Sequence, residues 1–135
     1  QSFNVGSIRL LMNSVPNEQW SEMKEWVRGI GRQSTKNLAL IGSGGNINKY
    51  CKLLMKDYGE ALKYDEIYHL YKRLKHMSTE ERIQKLYLNP DRADVIIPAT
   101  KIYLSAMKWS GARKIYVPKI GLSDGIIKSL FYNKF

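Results

Sequence analysis

The sequence predicts an α/β fold with a mainly parallel sheet. Residues 38–41 form an apolar run that ends in glycines, and an amphipathic segment begins near Ile47. This is the pattern of a short buried strand, a turn and a helix. A second apolar run at residues 114–117 precedes another glycine-containing loop and a last apolar segment. Strands that alternate with helices are typical of a parallel sheet covered by helices.

The N-terminal part is predicted to hold one strand and one helix. Residues 2–12 alternate and then run apolar, which indicates a strand with a bulge or close backbone approach at Gly6. Pro16 and Asn17 open a helix. Its apolar residues recur at three- and four-residue spacing: Trp20, Met23, Trp26, Val27 and Ile30. Such spacing is more typical of a core face than of a ligand platform.

The middle of the chain is predicted to be helical. Helices are expected at residues 46–55 and 65–77 from their periodic apolar residues. Ser78 and Glu81 have the spacing of a capping box, which starts a short helix ending near Leu88.

One long helix is predicted after this point. Pro90 suits a first helical turn. Residues 92–109 then continue apolar at helical spacing, so Pro98 is expected to kink this helix. The strand at residues 114–117 and a final helix containing Ile126 and Leu130 complete the order.

Charge and composition limit the classes of function. The 135 residues contain 22 Lys and Arg against 12 Asp and Glu, a net charge of +10. This favours an anionic partner such as a nucleic acid, a nucleotide, polyphosphate or an anionic membrane, without choosing among them. No apolar run reaches the roughly 18 residues of a membrane helix. Cys51 is the single cysteine and cannot form an internal disulfide, so a reducing cytoplasm is expected. Cys51 itself is interpreted as buried packing rather than as a nucleophile.

Both glycine loops follow a predicted strand and precede a helix, and they have the local design of a phosphate site. Glycines let an anion approach the main chain, and the start of a helix exposes N–H groups. If the two strands are parallel, the loops face one crevice. The predicted phosphate ligands are Ser43, Gly44, Gly45, Asn46, Gly121 and Ser123. Asp124 either orders a metal-bound water or caps the last helix, and capping is the simpler explanation.

Four blocks, in order, resemble the exopolyphosphatase/guanosine pentaphosphate phosphatase (Ppx/GppA) family. They are residues 5–10 (VGSIRL), 41–47 (IGSGGNI), 91–97 (DRADVII) and 120–127 (IGLSDGII). The resemblance implies an actin-like ATPase, ribonuclease H-like fold with a helical insertion between the last two strands. Residues 1–135 would then be most of the second domain. The family often has a basic residue where this chain has Ser123, and Lys119 is a candidate to compensate.

The resemblance also implies missing parts. The first domain, the opening hairpin with its phosphate loop and the glutamate general base do not occur in this sequence. The hairpin strands would lie between the strands at residues 2–12 and 38–41. The chain is therefore expected to be a fragment of a longer protein, or a second copy is expected to fill the gap.

The implied reaction is hydrolysis of a terminal phosphoanhydride in inorganic polyphosphate or guanosine pentaphosphate (pppGpp), with Mg²⁺ and no membrane partner. Arg92 is either a polyanion contact or a structural cap and ion-pair partner, and no residue is a convincing catalytic base. Two alternatives stay open: a basic α/β module that binds nucleic acid, and a sugar kinase or other actin-like ATPase. No RNA-binding motif appears, which makes nucleic acid the weaker alternative.

Overall fold

The computed structural model describes residues 1–34, 37–57, 59–118 and 122–132. The elements, in chain order, are α1 (Ser7–Leu11), α2 (Asn17–Gln33), β1 (Leu40–Ile41), α3 (Gly45–Leu53), β2 (Ala61–Lys63), α4 (Tyr64–Lys75), α5 (Thr79–Leu86), α6 (Pro90–Ala93), α7 (Ile96–Ser110), β3 (Lys114–Tyr116) and α8 (Leu122–Tyr132). The protein therefore combines many helices with a small mixed sheet, which confirms the α/β class.

The three strands are ordered β1-β3-β2. β1 pairs parallel with β3, with Leu40 opposite Ile115, which confirms the parallel pairing predicted for these two strands. β2 pairs antiparallel with β3 and places Leu62 opposite the same residue. The sequence analysis missed β2, which lies inside the helical insertion between β1 and β3.

One face of the sheet meets the core and the other is open. Leu62 and Ile115 are buried and Leu40 packs against the core. Because side chains alternate along a strand, their neighbours Ile41 and Tyr116 point the other way, with exposed fractions of 79% and 43%. The prediction that the whole 38–41 run is a buried strand is therefore wrong: the strand has two residues, and one of them is exposed.

The core lies between the inner face of the sheet and the helices. Its buried members are Ile47, Tyr50, Leu62, Ile67, Leu70, Leu74, Leu88, Ala93, Ile96, Leu104, Met107 and Ile115. α7 is central and packs against α1, α2, α4 and α6. Gly31 permits the close approach of α2, because a Cβ there would lie 2.7 Å from the Ser110 carbonyl oxygen.

Local signals placed several helices correctly. The capping box is present, with the Glu81 N–H donating to Ser78 Oγ at 3.1 Å and the Ser78 N–H donating to Glu81 Oε2 at 3.0 Å. Pro90 occupies the first turn of α6 as predicted. α2, α3, α4 and α8 also occur where periodicity predicted helices.

The N-terminal strand predicted at residues 2–12 is wrong. Residues Ser7–Leu11 form α1, and Gly6 is its extended N-cap residue rather than a bulge. α1 packs against α7, and Leu10 is half-buried while Ile8 and Leu11 are exposed. Alternation followed by an apolar run fits both periodicities over so few residues, and tertiary packing selects the helix.

The long kinked helix predicted for residues 92–109 is also wrong. Asp94 and Val95 separate α6 from α7, and Pro98 lies in the first turn of α7. Pro98 therefore causes no kink, because the N–H groups of a first helical turn have no intrahelical acceptor to lose.

The predicted tryptophan core face is only partly buried. Trp20 packs edge-on against Trp109, with ring centroids 5.3 Å apart. Trp26 remains 44% exposed beside Phe3, and Met23 is the buried residue of α2. Cys51 is half-buried against the core, and burial raises the pKa of its thiol, as expected for a packing role.

The predicted gap between an N-terminal strand and β1 does not occur as described, because that strand is absent. Among the described residues β1 has only β3 as a neighbour, so its other edge is unpaired. The last helix, α8, keeps exposed apolar residues: Ile126, Ile127, Leu130, Phe131 and Tyr132. Within the described ranges no helix is long and apolar enough to cross a membrane.

Candidate phosphate-binding corner

The candidate site begins where β1 ends. The Gly42 N–H donates to the Tyr116 carbonyl at 2.8 Å, which extends the parallel pairing one residue beyond β1. Gly44 then adopts φ +107° and ψ 168° as the N-cap residue of α3. This backbone conformation is strained for any residue with a Cβ, so glycine is required for this turn into the helix.

The N–H groups of the turn are available to a ligand. Gly42 donates to the sheet, but no acceptor in the described part of the chain takes the N–H groups of Ser43, Gly44, Gly45 or Asn46. The backbone of α3 adds a partial positive charge at the same place. We call residues 43–46 together with Arg92 the phosphate corner.

Arg92 lies directly on the start of α3. A Cβ built on Gly45 would be 2.0 Å from Arg92 Nη1 and 2.5 Å from its Cζ, so only a glycine leaves room for the guanidinium in this position. Arg92 Nη1 also lies 3.5 Å from Asn46 Oδ1, a long contact. The sequence left two roles open for Arg92. Its position against residues 45 and 46 would allow it to contact a polyanion bound at the start of α3.

The fold holds Arg92 there through α6. Asn89 and Pro90 start this short helix, and the Arg92 N–H donates to the Asn89 carbonyl at 2.9 Å. Arg92 is half-buried. Burial raises the pKa of Tyr103 to about 12, and the nearby positive charge of Arg92 opposes this rise.

A cavity of about 310 Å³ adjoins the corner. It is lined by Gly45, Asn48, Lys49, Lys52, Tyr87, Leu88, Asn89 and Arg92. Among the described residues, this lining contains three cationic side chains and no carboxylate. Lys49 Nζ donates to the Tyr87 carbonyl at 3.0 Å, which fixes it at the cavity wall. This arrangement favours a multiply charged anion over a neutral ligand.

The sequence missed Lys49 and Lys52. Neither was selected as a ligand, although they follow the glycine turn at a spacing of three residues. Residues three apart lie on one face of a helix, so this spacing was an available signal. The spacing could not show that Arg92 and Tyr87 line the same cavity.

The structure brings Ser43, Gly44, Gly45, Asn46 and Arg92 together. Ser123 lies near the start of α8 and is exposed. Gly121 and Lys119 lie outside the described residues, so the second lip of the predicted crevice is described only in part. β3, the strand that precedes this loop, pairs parallel with β1, so the carboxyl ends of the two strands lie side by side.

Metal ligands are not grouped in the part of the chain that is described. No set of three or more His, Cys, Asp or Glu residues there is arranged to hold an ion. The described residues therefore offer no cluster that would hold Mg²⁺ by protein ligands alone.

Comparison with solved structures identifies the fold. The Ppx/GppA phosphatase of Aquifex aeolicus superposes with a TM-score of 0.74 and 21% identity, over 96% of this chain and 48% of that one. An exopolyphosphatase from Cytophaga hutchinsonii superposes with a TM-score of 0.74 and 18% identity, over 98% of this chain and 49% of that one. The fold is that of the Ppx/GppA structures. An exopolyphosphatase-like protein superposes with a TM-score of 0.71 and 17% identity, over 100% of this chain and 51% of that one.

The chain thus spans about half the length of the Ppx/GppA structures that it matches. No family model matches its sequence. No curated protein matches it either.

Proposed function

We propose that this chain is part of a hydrolase that releases terminal phosphate from inorganic polyphosphate or from pppGpp. The chain supplies a phosphate-binding part of the cleft and not the catalytic base. One observation supports the proposal most strongly. The phosphate corner, in which Arg92 lies against Gly45, occurs in a fold shared with Ppx/GppA structures at a TM-score of 0.74. The substrates named are those that the resemblance implies.

The chemistry of each group follows from its position. The N–H groups of residues 43–46 donate to phosphate oxygens at the positive end of α3. The Arg92 guanidinium balances the charge of a phosphoryl group by bidentate hydrogen bonds. Lys49 and Lys52 lie beyond it along α3, where further phosphates of a chain would pass. Groups fixed before the reaction stabilise the charge that develops during phosphoryl transfer.

The remaining groups belong to the other half of the proposed protein. None of the described residues that line the cavity is a carboxylate, and we propose that the base that takes a proton from the attacking water belongs to the other half of the protein. We propose that Mg²⁺, which neutralises phosphate charge in such reactions, is held by phosphate oxygens and by ligands beyond the described residues.

Several finer points remain part of the proposal. The chain would be most of the second domain of an actin-like, ribonuclease H-like protein in the cytoplasm. Its partners would be the first domain of the same polypeptide and, in a homodimer, a second copy. The coverage of about half of each matched structure is consistent with such a missing domain.

A phosphate-release assay tests the reaction. The full-length protein, with Mg²⁺, is incubated separately with long-chain polyphosphate, pppGpp and ATP. Release from polyphosphate or pppGpp is expected, and release from ATP alone would favour another actin-like ATPase. Release from none of the three would contradict the proposal and favour the nucleic-acid-binding alternative.

The 135-residue chain provides the matching binding test. It is expected to show no turnover but to bind polyphosphate with an affinity that falls as salt is added. Arg92→Ala should weaken this binding, whereas Arg73→Ala, an exposed arginine of α4 outside the cavity, should change it little. Equal losses in the two variants would show that net charge alone, and not the phosphate corner, determines binding.

A further inference from the structure

A second group of cations lies at the other end of the sheet. Lys63, Lys108, Arg113 and Lys114 line one cavity of about 640 Å³, which we call the basic groove. The phosphate corner follows the last residues of β1 and β3, whereas Lys114 is the first residue of β3. The basic groove is therefore separate from the phosphate corner.

The four cations are only partly balanced by acidic groups of the described chain, since the positive charge of Lys63 helps to lower the pKa of Glu66. All four are exposed, and none forms an ion pair with a described residue. Asp65 is the single acidic residue in the lining. Basic residues at the end of α7 complement its dipole, but this effect does not require four of them around one cavity.

Two of these lysines are held face to face. Lys63 and Lys114 are directly opposite in the antiparallel pairing of β2 with β3. Their neighbours Leu62 and Ile115 point into the core, so both lysines point to the opposite face of the sheet. Like charges in this position destabilise a sheet, and a bound anion would remove the repulsion.

The groove is longer than one phosphate group. A second cavity of about 410 Å³ shares Lys108 and Gly111 with it and continues to Arg28 and Arg32 on α2. These two arginines share the Glu25 carboxylate, so one further positive charge adds to the four cations along this extension of the groove. The shape therefore suits an extended ligand.

We propose that the basic groove binds an extended chain of phosphates, inorganic polyphosphate. The choice of polyphosphate rests on the function proposed above; the lysines and the arginine of the lining could also contact the phosphates of a nucleic acid, so poly(U) is the competing probe in the test. The aromatic residue of the lining, Tyr64, is stacked on Tyr68 with centroids 6.1 Å apart and an interplanar angle of 10°. Tyr68 thus faces one side of this ring, and the four cations are the main groups for recognition.

The test compares two double variants of the 135-residue chain. Lys63→Gln/Lys114→Gln removes the facing pair, and Lys75→Gln/Lys128→Gln removes two exposed lysines outside the groove. Each variant loses two lysines, so the net charge falls from +10 to +8 in both. Long-chain polyphosphate and poly(U) are the probes, and binding is followed by anisotropy over a range of salt concentrations.

The facing-pair variant should bind polyphosphate about tenfold more weakly at low salt. The slope of log K against log salt should fall by about 2, one for each lysine that contacts phosphate. Without ligand this variant should melt close to the wild-type temperature, because it loses both the repulsion between the two lysines and the attraction of Lys63 to Glu66. With polyphosphate it should gain less in melting temperature than the control variant does.

Equal losses of affinity in the two double variants would overturn the proposal, as would tighter binding of poly(U) than of polyphosphate at equal phosphate concentration. The same pair of variants made in an Arg92→Ala background separates this site from the phosphate corner. In that background, removing the facing pair should still weaken polyphosphate binding, whether or not Arg92→Ala itself weakens it.

Discussion

Replacing Gly45 with alanine should weaken phosphate binding while leaving the fold intact. The new Cβ would lie 2.0 Å from Arg92 Nη1. Since carbon contacts are comfortable at about 3.5 Å, the guanidinium must move by about 1.5 Å. A hydrogen bond to a charged group contributes about 1.5–3 kcal/mol, so losing the Arg92 contact raises Kd by about 10- to 100-fold.

Stability should change in the opposite direction. Gly45 is the first residue of α3 and has no positive φ, so alanine suits its backbone. Alanine in a helix is favoured over glycine by about 0.5–1 kcal/mol. The moving group is the far end of a flexible side chain, which adjusts at little cost. The variant is thus expected to melt at or above the wild-type temperature and yet to bind polyphosphate more weakly.

The assay is a polyphosphate titration of Gly45→Ala, Arg92→Ala and the double variant, with melting temperatures recorded for each. Gly29→Ala is the matched control, because a Cβ there meets nothing within 4 Å and the position is far along α2. If Gly45 acts by placing Arg92, the Gly45→Ala effect should vanish once Arg92 is absent. A full Gly45→Ala loss in the Arg92→Ala background would refute this reasoning.

Three further variants test the fold. Arg82 donates to the carbonyls of Leu74, Met77 and Ala93 at 2.8–3.0 Å. Arg82→Ala should therefore lower the free energy of unfolding in urea by about 3 kcal/mol, whereas Arg73→Ala should change it by less than about 0.5 kcal/mol. Gly31→Ala should destabilise by about 1–3 kcal/mol because its Cβ meets a backbone carbonyl, while Gly29→Ala should be neutral or stabilising in the same melt. Burial raises the pKa of Glu66, but its bonds to Lys56 and the Lys63 N–H outweigh this and lower it. The folded-state value thus lies below the unfolded one, so the stability lost in Glu66→Gln should be greatest above about pH 4.3 and shrink as the pH falls; a loss that grows towards acid would contradict this.

Local signals in the sequence predicted much of the fold. The glycine turn after β1, the capping box at Ser78 and the proline at position 90 each specify a backbone conformation by themselves. Helical periodicity was equally sufficient where an apolar face extends over several turns, as in α2 and α4. The parallel pairing of β1 with β3 followed from their shared place before a helix.

The errors arose where distant residues decide the structure. Ala61-Leu62-Lys63 has no strong strand preference and becomes β2 because Leu62 packs opposite Ile115. Residues 7–11 form a helix because α7 offers a surface to pack on. The same limit applies to the site: residues 43–46 were predicted as ligands, but Arg92 was left with two possible roles, because its position against Gly45 depends on α6 and could not be derived from spacing.

The central claim is that main-chain amides at the start of α3 bind phosphate together with Arg92. An ¹H–¹⁵N spectrum of the 135-residue chain, titrated with tripolyphosphate, tests it most directly. The amide signals of Ser43, Gly44, Gly45 and Asn46 should shift together and saturate at one concentration, and these shifts should be lost in Arg92→Ala. Saturating shifts confined to other parts of the chain, with residues 43–46 unchanged, would contradict the claim.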